Sequence, residues 1–336
     1  VTGGDETWSS EVGQPLASRA VRLDVDGLQP DRRYEYVIEV DGQADAGRGR
    51  GSFRTPAVGP ASFRLVSSSC ARVDSNAAVF DAIAAEDPLL YLALGDVHYS
   101  NIADNDVDTF ATAYDRMLGQ PGQAALYRSV PVSYVWDDHD YGLNDAGGTF
   151  AHKAQSERLF ESFWQIAPAD PSVSRPGIYR AVMIGEGDQR VQIILLDTRF
   201  FRTALKTPWI PPLVGRYIPT DDPKQSMLGD AQWQWLTETL NAPAALRILV
   251  SSVQVLADGH QWEAWRMLPR EQQRLLALLG TTAGQTIIVS GDRHLAGLYQ
   301  AQTGEADAIL EMTTSSLNLP LSQIAAVITE ETGSTL

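Results

Sequence analysis

The sequence predicts an α/β protein in two parts, a small amino-terminal β domain over residues 1–58 and a larger α/β domain over residues 59–336. In the first part, apolar residues alternate with polar ones between turn signals, as in half-buried strands. In the second, short apolar runs alternate with stretches of helical periodicity, which is typical of strand-helix-strand units. With 44% apolar and 20% charged residues, the 336-residue chain can bury a large core.

The amino-terminal part contains two predicted strands joined by a turn. Val21, Leu23 and Val25 alternate in the first strand, residues 27–31 supply the turn, and residues 34–40 form the second strand. The order Gly-Leu-x-Pro-Asp-x-x-Tyr resembles the corner of fibronectin type III-like sandwiches, in which a tyrosine hydroxyl bonds to the upstream backbone. Because such sandwiches need ~100 residues, we expect an incomplete one with a structural role that packs on the rest of the chain.

From residue 61 onward, apolar runs end abruptly in polar residues of the types that bind metals or phosphate. The runs span residues 63–68, 89–94, 130–135, 191–196, 247–250 and 286–290. Between them the helical periodicity predicts helices at residues 76–86, 109–118, 151–165, 230–240 and 270–279. Asp230 is the expected N-cap of the fourth of these helices. Sites in open α/β sheets gather beyond the carboxyl ends of the strands, so we expect the polar clusters to converge.

The densest cluster is the stretch 136–145, Trp-Asp-Asp-His-Asp-Tyr-Gly-Leu-Asn-Asp. Its carboxylates would raise one another's pKa unless a cation or strong donors compensate. A metal site accounts for the stretch, and so does a solvated acidic turn; the stretch alone does not separate them. Recurrence of ligand-type residues at the other strand ends favours the metal site, because a solvated turn has no reason to recur in this way.

The composition excludes several functional classes. A net charge of -16 argues against nonspecific nucleic-acid binding and against an anionic membrane surface, and it suits cation binding. No run approaches ~18 uninterrupted apolar residues, so no membrane span is predicted. No secretory signal pattern opens the chain, and Val1 in place of Met leaves export open. Cys70 is the sole cysteine, which excludes an internal disulfide.

In this order, the clusters resemble the alkaline phosphatase D-type (PhoD-like) branch of the calcineurin-like metallophosphoesterase superfamily, over roughly residues 60 to 320. The motifs are Trp-Asp-Asp-His-Asp at 136–140, Leu-Asp-Thr-Arg-x-x-Arg at 196–202, Glu-Ala-Trp at 263–265 and Ser-Gly-Asp-x-His at 290–294. Gly95-Asp96 with Tyr99 is similar to purple acid phosphatase-like sites. The resemblance implies a four-layer metallophosphoesterase sandwich, two mixed sheets packed face to face with helices outside, and makes residues 59–336 the catalytic domain.

The resemblance also implies an activity. We expect hydrolysis of phosphate monoesters and/or diesters, of the alkaline phosphatase or phosphodiesterase type, through attack of a metal-activated water or hydroxide. The implied cofactors are Fe³⁺ and Ca²⁺, with Zn²⁺, Mn²⁺ or Co²⁺ as other candidates. The expected partner is a small-molecule phosphate ester, without a stable nucleic-acid partner, and the expected location is secreted, periplasmic or extracellular. The oligomeric state is left open.

The site residues follow from the same resemblance. The implied metal ligands are Cys70, Asp96, Tyr99, Asp138, Asn144, Asp292 and His294. The implied catalytic residues are His139 as proton donor, Asp96 as bridging ligand, and Arg72 and Arg293 as contacts to phosphate oxygens, with Arg199 or Arg202 as alternatives for that contact. We expect Cys70, Tyr99 and Asp292 to hold the trivalent ion. The superfamily's Asp-x-His opening motif is absent, and Ser-Cys-Ala-Arg at 69–72 in its place favours the D-type branch over a plain dizinc or dimanganese site.

Structural interpretations compete with several of these assignments. Alone, Cys70 is typical of a small buried hydrophobe, and Tyr99 of a packed aromatic side chain. Asp197 and Arg199 are interpreted as an ion pair that buttresses the strand end, in preference to substrate contacts. The Pro- and Gly-rich segment 203–229 either roofs a site or packs as a surface loop.

Two alternative functions stay open. In one, the same metal centre acts on phosphonates, phosphotriesters or phospholipids, and His98 and the segment 203–229 are where such a change would be encoded. In the other, the chain is a binding protein built on a degenerate enzyme core. His152 is predicted to be structural, and His260 has loop placement as its single indication of a role at the site.

Overall fold

The computed structural model describes residues 1–15, 18–104, 106–167, 170–210, 212, 215–302 and 308–321. Its first part is a small β region. The strands there are β1 (Thr2–Gly3), β2 (Glu6–Thr7), β3 (Arg33–Val37), β4 (Glu39–Val40), β5 (Gln43–Ala44) and β6 (Arg50–Arg54). They form an antiparallel sheet of order β2-β1-β3-β6 and a separate β4-β5 hairpin.

Tyr34 on β3 makes the bond that its motif predicts. The side chain is fully buried, and its hydroxyl accepts a 2.7 Å hydrogen bond from the backbone N–H of Gln29, upstream in the turn. The strand expected at residues 21–25 is wrong, since these residues form no strand and Val21 and Leu23 are 42% and 38% exposed. The domain boundary at residue 58 stays a prediction.

In the larger part, strands and helices alternate along the chain. The strands are β7 (Leu65–Ser68), β8 (Leu90–Ala93), β9 (Val132–Tyr134), β10 (Arg180–Ile184), β11 (Val191–Leu195), β12 (Leu246–Ser251), β13 (Gln285–Ser290), β14 (Ala296–Ala301) and β15 (Ile309–Thr314). The helices are α1 (Ala78–Ala85), α2 (Val107–Leu118), α3 (Pro121–Ser129), α4 (Asp138–Tyr141), α5 (Lys153–Trp164), α6 (Gly229–Leu240) and α7 (Pro269–Gly280).

These elements match the expected strands and helices of this part and add several that the sequence did not indicate. The additional elements are β10, β14, β15, α3 and α4. Asp230 does not cap α6 as expected; it lies in the first turn, and Leu228 holds the N-cap position. An acidic side chain in a first turn still interacts favourably with the helix dipole, so the sequence signal was displaced by two residues rather than absent.

Two sheets pack face to face between helices. The larger is mixed, in the order β10-β11-β12-β13-β15-β14, and the smaller is parallel, in the order β7-β8-β9. Leu92 of the smaller sheet shares one core with Ile193 and Val250 of the larger one. On the opposite face of the larger sheet, Leu249 packs with Trp233 of α6. Two sheets packed face to face with helices outside agree with the predicted α/β architecture. Two mixed sheets were expected, however, and the described strands of the smaller sheet are all parallel.

The amino-terminal sheet docks on α3 at one close contact. The Tyr36 hydroxyl donates a 3.2 Å bond to the backbone carbonyl of Arg128. Beside it, a Cβ atom at Gly51 would lie 2.1 Å from the same carbonyl oxygen. Glycine at 51 therefore permits the approach, and the expectation that the β region packs on the rest of the chain agrees with this contact.

The polar clusters that follow β7, β8, β9, β11, β12 and β13 occupy the carboxyl ends of strands that are parallel within each sheet. Ser69, directly after β7, donates its backbone N–H to Thr314 at the end of β15, which brings the two sheets together at this edge. Among the described residues, no helix has the length and apolar character needed to cross a membrane.

Candidate metal centre

Five of the expected ligands have left-handed backbone geometry. Their φ angles are 60° at Cys70, 59° at Asp96, 54° at Tyr99, 67° at Asp292 and 56° at His294. This conformation costs an L-residue roughly 1–2 kcal/mol, and such residues concentrate at functional sites, where the surrounding structure holds them. Tight turns at the strand ends therefore place these side chains.

One group of possible ligands contains Cys70, Asp96 and His294. Their ligand atoms lie within 4.8 Å of one another, and Sγ of Cys70 is 3.6 Å from Oδ2 of Asp96. Nδ1 of His294 donates a 2.5 Å bond to the carbonyl of Leu319, so Nε2 is the unprotonated nitrogen that can bind a metal. The Tyr99 hydroxyl lies 3.2 Å from that Nε2. Thiol, phenol, imidazole and carboxyl groups thus converge.

Two further groups are linked to the first in a chain, the second sharing Asp96 with the first and the third sharing Asp138 with the second. Asp96, Asp138 and His139 form one, and Asp137, Asp138 and Asp292 form the other, each with ligand atoms within 4.8 Å. Asp96 belongs to two groups, as a bridging carboxylate requires. Asp292 lies with Asp137 and Asp138. The expectation that Cys70, Tyr99 and Asp292 hold one ion together stays a prediction.

The electrostatics of these groups favour bound cations. Burial, together with the neighbouring aspartates, raises the pKa of Asp96 and Asp292 well above the usual range. Burial raises the pKa of Asp137 to about 7. Burial and Asp96 also raise the pKa of the Cys70 thiol. Ionised forms of these groups need compensating positive charge, and the mixture of hard oxygen, nitrogen and sulfur donors fits a centre of more than one metal ion.

Behind the acids lies a buried ion-pair network. Arg199, fully buried, pairs with Asp137 and, at 2.7 Å, with Glu263. Arg202 pairs with the other oxygen of Glu263. Burial alone would lower the pKa of Arg199, but Asp137 and Glu263 raise it. Both arginines thus neutralise acids of the site.

Arg199 and Asp197 do not form the ion pair that the sequence suggested. The Asp197 carboxylate accepts hydrogen bonds from the indole N–H of Trp136 at 2.8 Å and from the backbone N–H of Arg199 at 2.9 Å. It also accepts the backbone N–H of Ile178 at 3.0 Å. Asp197 therefore buttresses the strand end through backbone and indole donors, and the guanidinium of Arg199 turns to the metal-site acids.

Asp140, to which the sequence gave no role, holds the turns that carry the ligands. Its carboxylate accepts the backbone N–H groups of Asp96 at 2.5 Å, Val97 at 2.9 Å and Asp137 at 3.2 Å. His98 lies behind it, buried, with Nε2 3.8 Å from Asp140. Burial lowers the pKa of His98 to about 3, so this imidazole is neutral and packs against Tyr114.

His139 is oriented by a residue that the sequence did not single out. Nδ1 of His139 donates to the side-chain oxygen of Asn101 at 2.7 Å. Nε2 then faces Asp138, 4.0 Å from its Oδ1. Burial lowers the pKa of His139, which favours the neutral imidazole. The loop after β8 thus supplies both Asp96 and the partner of His139.

The remaining candidates lie around the rim. Arg72 and Asn144 are exposed, and Arg293 is half-buried beside Asp292. Next to Asn144, the backbone N–H of Asp145 donates a 2.7 Å bond to Oδ2 of Asp138. Asp138, Asp145 and Glu263 have oxygen atoms within 4.8 Å of one another.

The other two histidines stand apart from the ligand groups. Nε2 of His260 bonds the side chain of Gln254 at 2.9 Å, and burial lowers the pKa of this imidazole to about 4. His152 immediately precedes α5 and contacts the ring of Phe150, which agrees with a structural role.

Comparisons with known proteins identify a family and a fold for this chain. A family model described as PhoD-like phosphatase matches residues 65–332. A solved structure of PhoD is similar with a TM-score of 0.70 and 18% identity, over 89% of this chain and 65% of that one. The structure of purple acid phosphatase PPD1 from yellow lupin (Lupinus luteus) seeds is similar with a TM-score of 0.54 and 13% identity, over 87% of this chain and 51% of that one.

At these identities the structural likeness establishes the fold alone. The chain spans less than two thirds of the length of either solved protein, since the matches cover 65% and 51% of them. No curated protein sequence matched the chain.

Proposed function

Since the chain belongs to the PhoD-like phosphatase family, we propose that it is a metal-dependent phosphoesterase that hydrolyses phosphate monoesters or diesters. The observation that carries the proposal is the sharing of Asp96 between two groups of possible ligands, Cys70 with His294 and Asp138 with His139. Adjacent cation sites joined by one carboxylate suit the transfer of a phosphoryl group, because both the attacking and the leaving oxygen need stabilisation.

The donor types suggest which ions the centre holds. Cys70, Tyr99 and His294 offer ligands suited to Fe³⁺, whose charge would offset burial of a thiolate and a phenolate. Asp138 and Asp292, with Asn144 at the rim, offer oxygen ligands suited to Ca²⁺. Cations bound there would acidify a water molecule and offset the charge of the phosphoryl oxygens.

The chain's own residues would orient the substrate. Arg72 is exposed and Arg293 half-buried at the rim of the site, so both can donate hydrogen bonds to nonbridging phosphate oxygens. Nε of Arg293 has no hydrogen-bond partner among the described residues. In contrast, Arg199 is committed to Asp137 and Glu263 and acts through them.

Two roles fit His139, and one variant separates them. As proton donor to the leaving oxygen, His139 would have to be protonated when the substrate binds. Burial lowers the pKa of His139 and so opposes that protonation. As a ligand, its unprotonated Nε2 would join Asp96 and Asp138. A proton donor predicts that His139→Ala retains the metals and slows esters with poor leaving groups most, whereas a ligand predicts loss of metal.

The function is tested by measuring nitrophenol release from p-nitrophenyl phosphate and bis(p-nitrophenyl) phosphate, with metal-loaded protein and after chelation. We expect hydrolysis that chelation abolishes and that metal restores. Asp96→Ala should lower both activity and metal content, because two groups lose their shared ligand. Absence of hydrolysis of both probes by protein shown to be metal-loaded would refute the proposal.

A further inference from the structure

A cavity of about 380 Å³ opens beside the metal centre, between residues 143–150 and the start of the segment 203–229. Arg202, Arg216 and Tyr217 line it, together with apolar side chains that include Phe150 and Leu205. A cavity of this size accommodates a small organic molecule. Of the two interpretations of the segment 203–229, this favours a wall of the site over a packed surface loop.

The cavity and the metal centre share Asp145. Its backbone N–H bonds the candidate ligand Asp138 at 2.7 Å. Its carboxylate accepts the Tyr217 hydroxyl at 2.6 Å and the guanidinium of Arg216 at 2.8 Å. Asp145 is therefore the residue that separates a molecule in the cavity from the proposed phosphoryl site.

The wall that carries Arg216 is fixed in place. The backbone N–H groups of Arg216 and Tyr217 donate to the carbonyl of Gln261 at 2.7 and 2.8 Å. Gly215 has φ of 125°, and a Cβ atom there would lie 2.2 Å from the backbone of Gln261. Glycine at 215 thus permits the contact that presents the two side chains to the cavity.

The lining contains an unused buried donor. Arg202 is only 3% exposed, and its other guanidinium nitrogens bond Glu263 and the carbonyls of Asp145 and Ala146. Its Nε has no hydrogen-bond partner among the described residues, and it lies 3.3 Å from the position that a Cβ atom of Gly147, a neighbouring lining residue, would take. A buried N–H without an acceptor costs free energy, so an acceptor on a bound molecule would stabilise it.

Arg216 adds an accessible positive charge. Its side chain is 57% exposed, while that of Asp145 is 17% exposed. The guanidinium therefore has donors that face solvent at the mouth of the cavity, besides the one that meets Asp145. Guanidinium groups recognise carboxylate and phosphate oxygens, and a protein of net charge -16 needs such local positive charge to hold an anion.

We propose that this cavity binds the organic part of the phosphate ester and that Arg216, with the free N–H of Arg202, binds a second anionic group on it, a carboxylate or a phosphate. The inference rests on the proposed function, because it assigns the reacting phosphate to the metal centre. The preferred substrates are then phosphate esters of small alcohols that carry another anion.

The test compares 4-carboxyphenyl phosphate and 1,4-phenylene bisphosphate with the neutral analogue 4-methylphenyl phosphate. We expect KM to be about tenfold lower for whichever anionic ester the cavity prefers, as a charge-assisted hydrogen bond would produce. In Arg216→Gln this preference should disappear. Comparing each ester's ratio between wild type and variant cancels differences in leaving-group reactivity.

Tyr217→Phe is the matched control, since it also removes one donor from Asp145 but retains the cation of Arg216. The preference should survive in Tyr217→Phe. A second variant, Ala204→Trp at an exposed lining position, should narrow the cavity and raise KM for all three aryl esters relative to methyl phosphate. An equal KM for neutral and anionic esters in the wild type, or a preference that persists in Arg216→Gln, would overturn the inference.

Binding of the corresponding phosphonates, measured by calorimetry, separates failure of this inference from failure of the proposed function. If none of the esters is hydrolysed but 4-carboxyphenylphosphonate binds more tightly than 4-methylphenylphosphonate, and loses that advantage in Arg216→Gln, the cavity assignment stands without the hydrolytic one. If hydrolysis occurs and neither phosphonate is preferred, the cavity assignment is wrong and the hydrolytic one stands.

Discussion

Cys70 is buried like an ordinary core residue, but its sulfur lies among polar atoms, as that of a metal ligand does. It is fully buried, as most free cysteines are. Yet its sulfur lies among polar atoms, 3.2 Å from the hydroxyls of Ser69 and Ser315 and 3.6 Å from Asp96. Burial and Asp96 raise the pKa of the thiol, so a thiolate would require a cation beside it.

We predict that Cys70→Ala loses the ion shared with Asp96 and His294 and keeps the ion held by Asp138. A packed hydrophobe would instead tolerate alanine with little change, since only one sulfur atom is removed. Elemental analysis of the purified variant measures the difference, with Ser69→Ala as control because it retains the thiol. Full metal occupancy in Cys70→Ala would remove Cys70 from the ligand set.

Acids and histidines of the site could be predicted because they follow strand ends, where the change from apolar to polar residues is visible in the sequence. Partners distant in the chain were not visible. Glu263 meets Arg199 across 64 residues, and Asp145 meets Tyr217 across 72. Asn101, which orients His139, lies in a polar loop with no pattern of its own. Such pairs depend on how the elements pack, which local spacing does not encode.

Among the elements, α5 carries Glu157, a carboxyl group whose surroundings disfavour its charged form. Glu157 is half-buried and accepts the backbone N–H of Gly177. Burial raises the pKa of this carboxyl from 4.5 to about 7. The folded protein therefore holds a proton there that the unfolded chain releases, and stability falls as pH rises from 4.5 towards 7.

We predict that Glu157→Gln removes this part of the pH dependence. Relative to the wild type, the variant should gain stability as pH rises through that window, by less than about 1 kcal/mol because the side chain is partly exposed to solvent. Urea unfolding at pH 4.5, 6 and 7.5 measures the difference. Glu238→Gln on the exposed face of α6 is the control and should parallel the wild type. Parallel curves for Glu157→Gln as well would contradict the prediction.

The contact between β6 and α3 leads to a prediction about the amino-terminal sheet. In Gly51→Ala, the added methyl group would meet the carbonyl of Arg128 at 2.1 Å, so the sheet has to move away from the helix. Overpacking of this kind costs typically 1–3 kcal/mol. We expect earlier proteolytic cleavage within residues 1–58 and a lower midpoint of unfolding. Gly59→Ala, where a Cβ has no neighbour within 4 Å, should leave both unchanged.

Among the strands of the larger part, those with a continuous apolar run were the easiest to predict. β11 is buried along its length and β8 at three of its four residues, and both appear in the sequence as uninterrupted hydrophobic stretches. β14 alternates between exposed and partly buried residues at the edge of the larger sheet, and it was missed. The strand predicted at residues 21–25 had the alternation but lacks a ladder, and a strand requires hydrogen bonds to a neighbour that the pattern does not specify.

For the whole molecule, the cluster of carboxylates in the candidate metal centre is electrostatically unfavourable. The protein carries a net charge of -16, and the buried Asp96, Asp137 and Asp138 lie together with the half-buried Asp292 in the candidate metal centre. The arginines 199 and 202 compensate part of this charge through Asp137 and Glu263. The remaining repulsion destabilises the folded state, and cations that bind the folded state alone would relieve it.

We therefore predict that chelation lowers the unfolding temperature and that added metal restores it in a concentration-dependent manner. Binding of a metal ion at a free concentration of a hundred times its Kd stabilises the fold by about 2.7 kcal/mol per site.

Calorimetry of stripped protein titrated with Fe³⁺ and Ca²⁺ measures the effect. NaCl at equal ionic strength serves as control, because screening of surface charges would respond to both kinds of salt alike. The shift should be smaller in Asp96→Ala, which lacks the carboxylate common to two of the ligand groups. An equal response to NaCl would mean that the stabilisation comes from screening of surface charges and that the acids hold no specific ion.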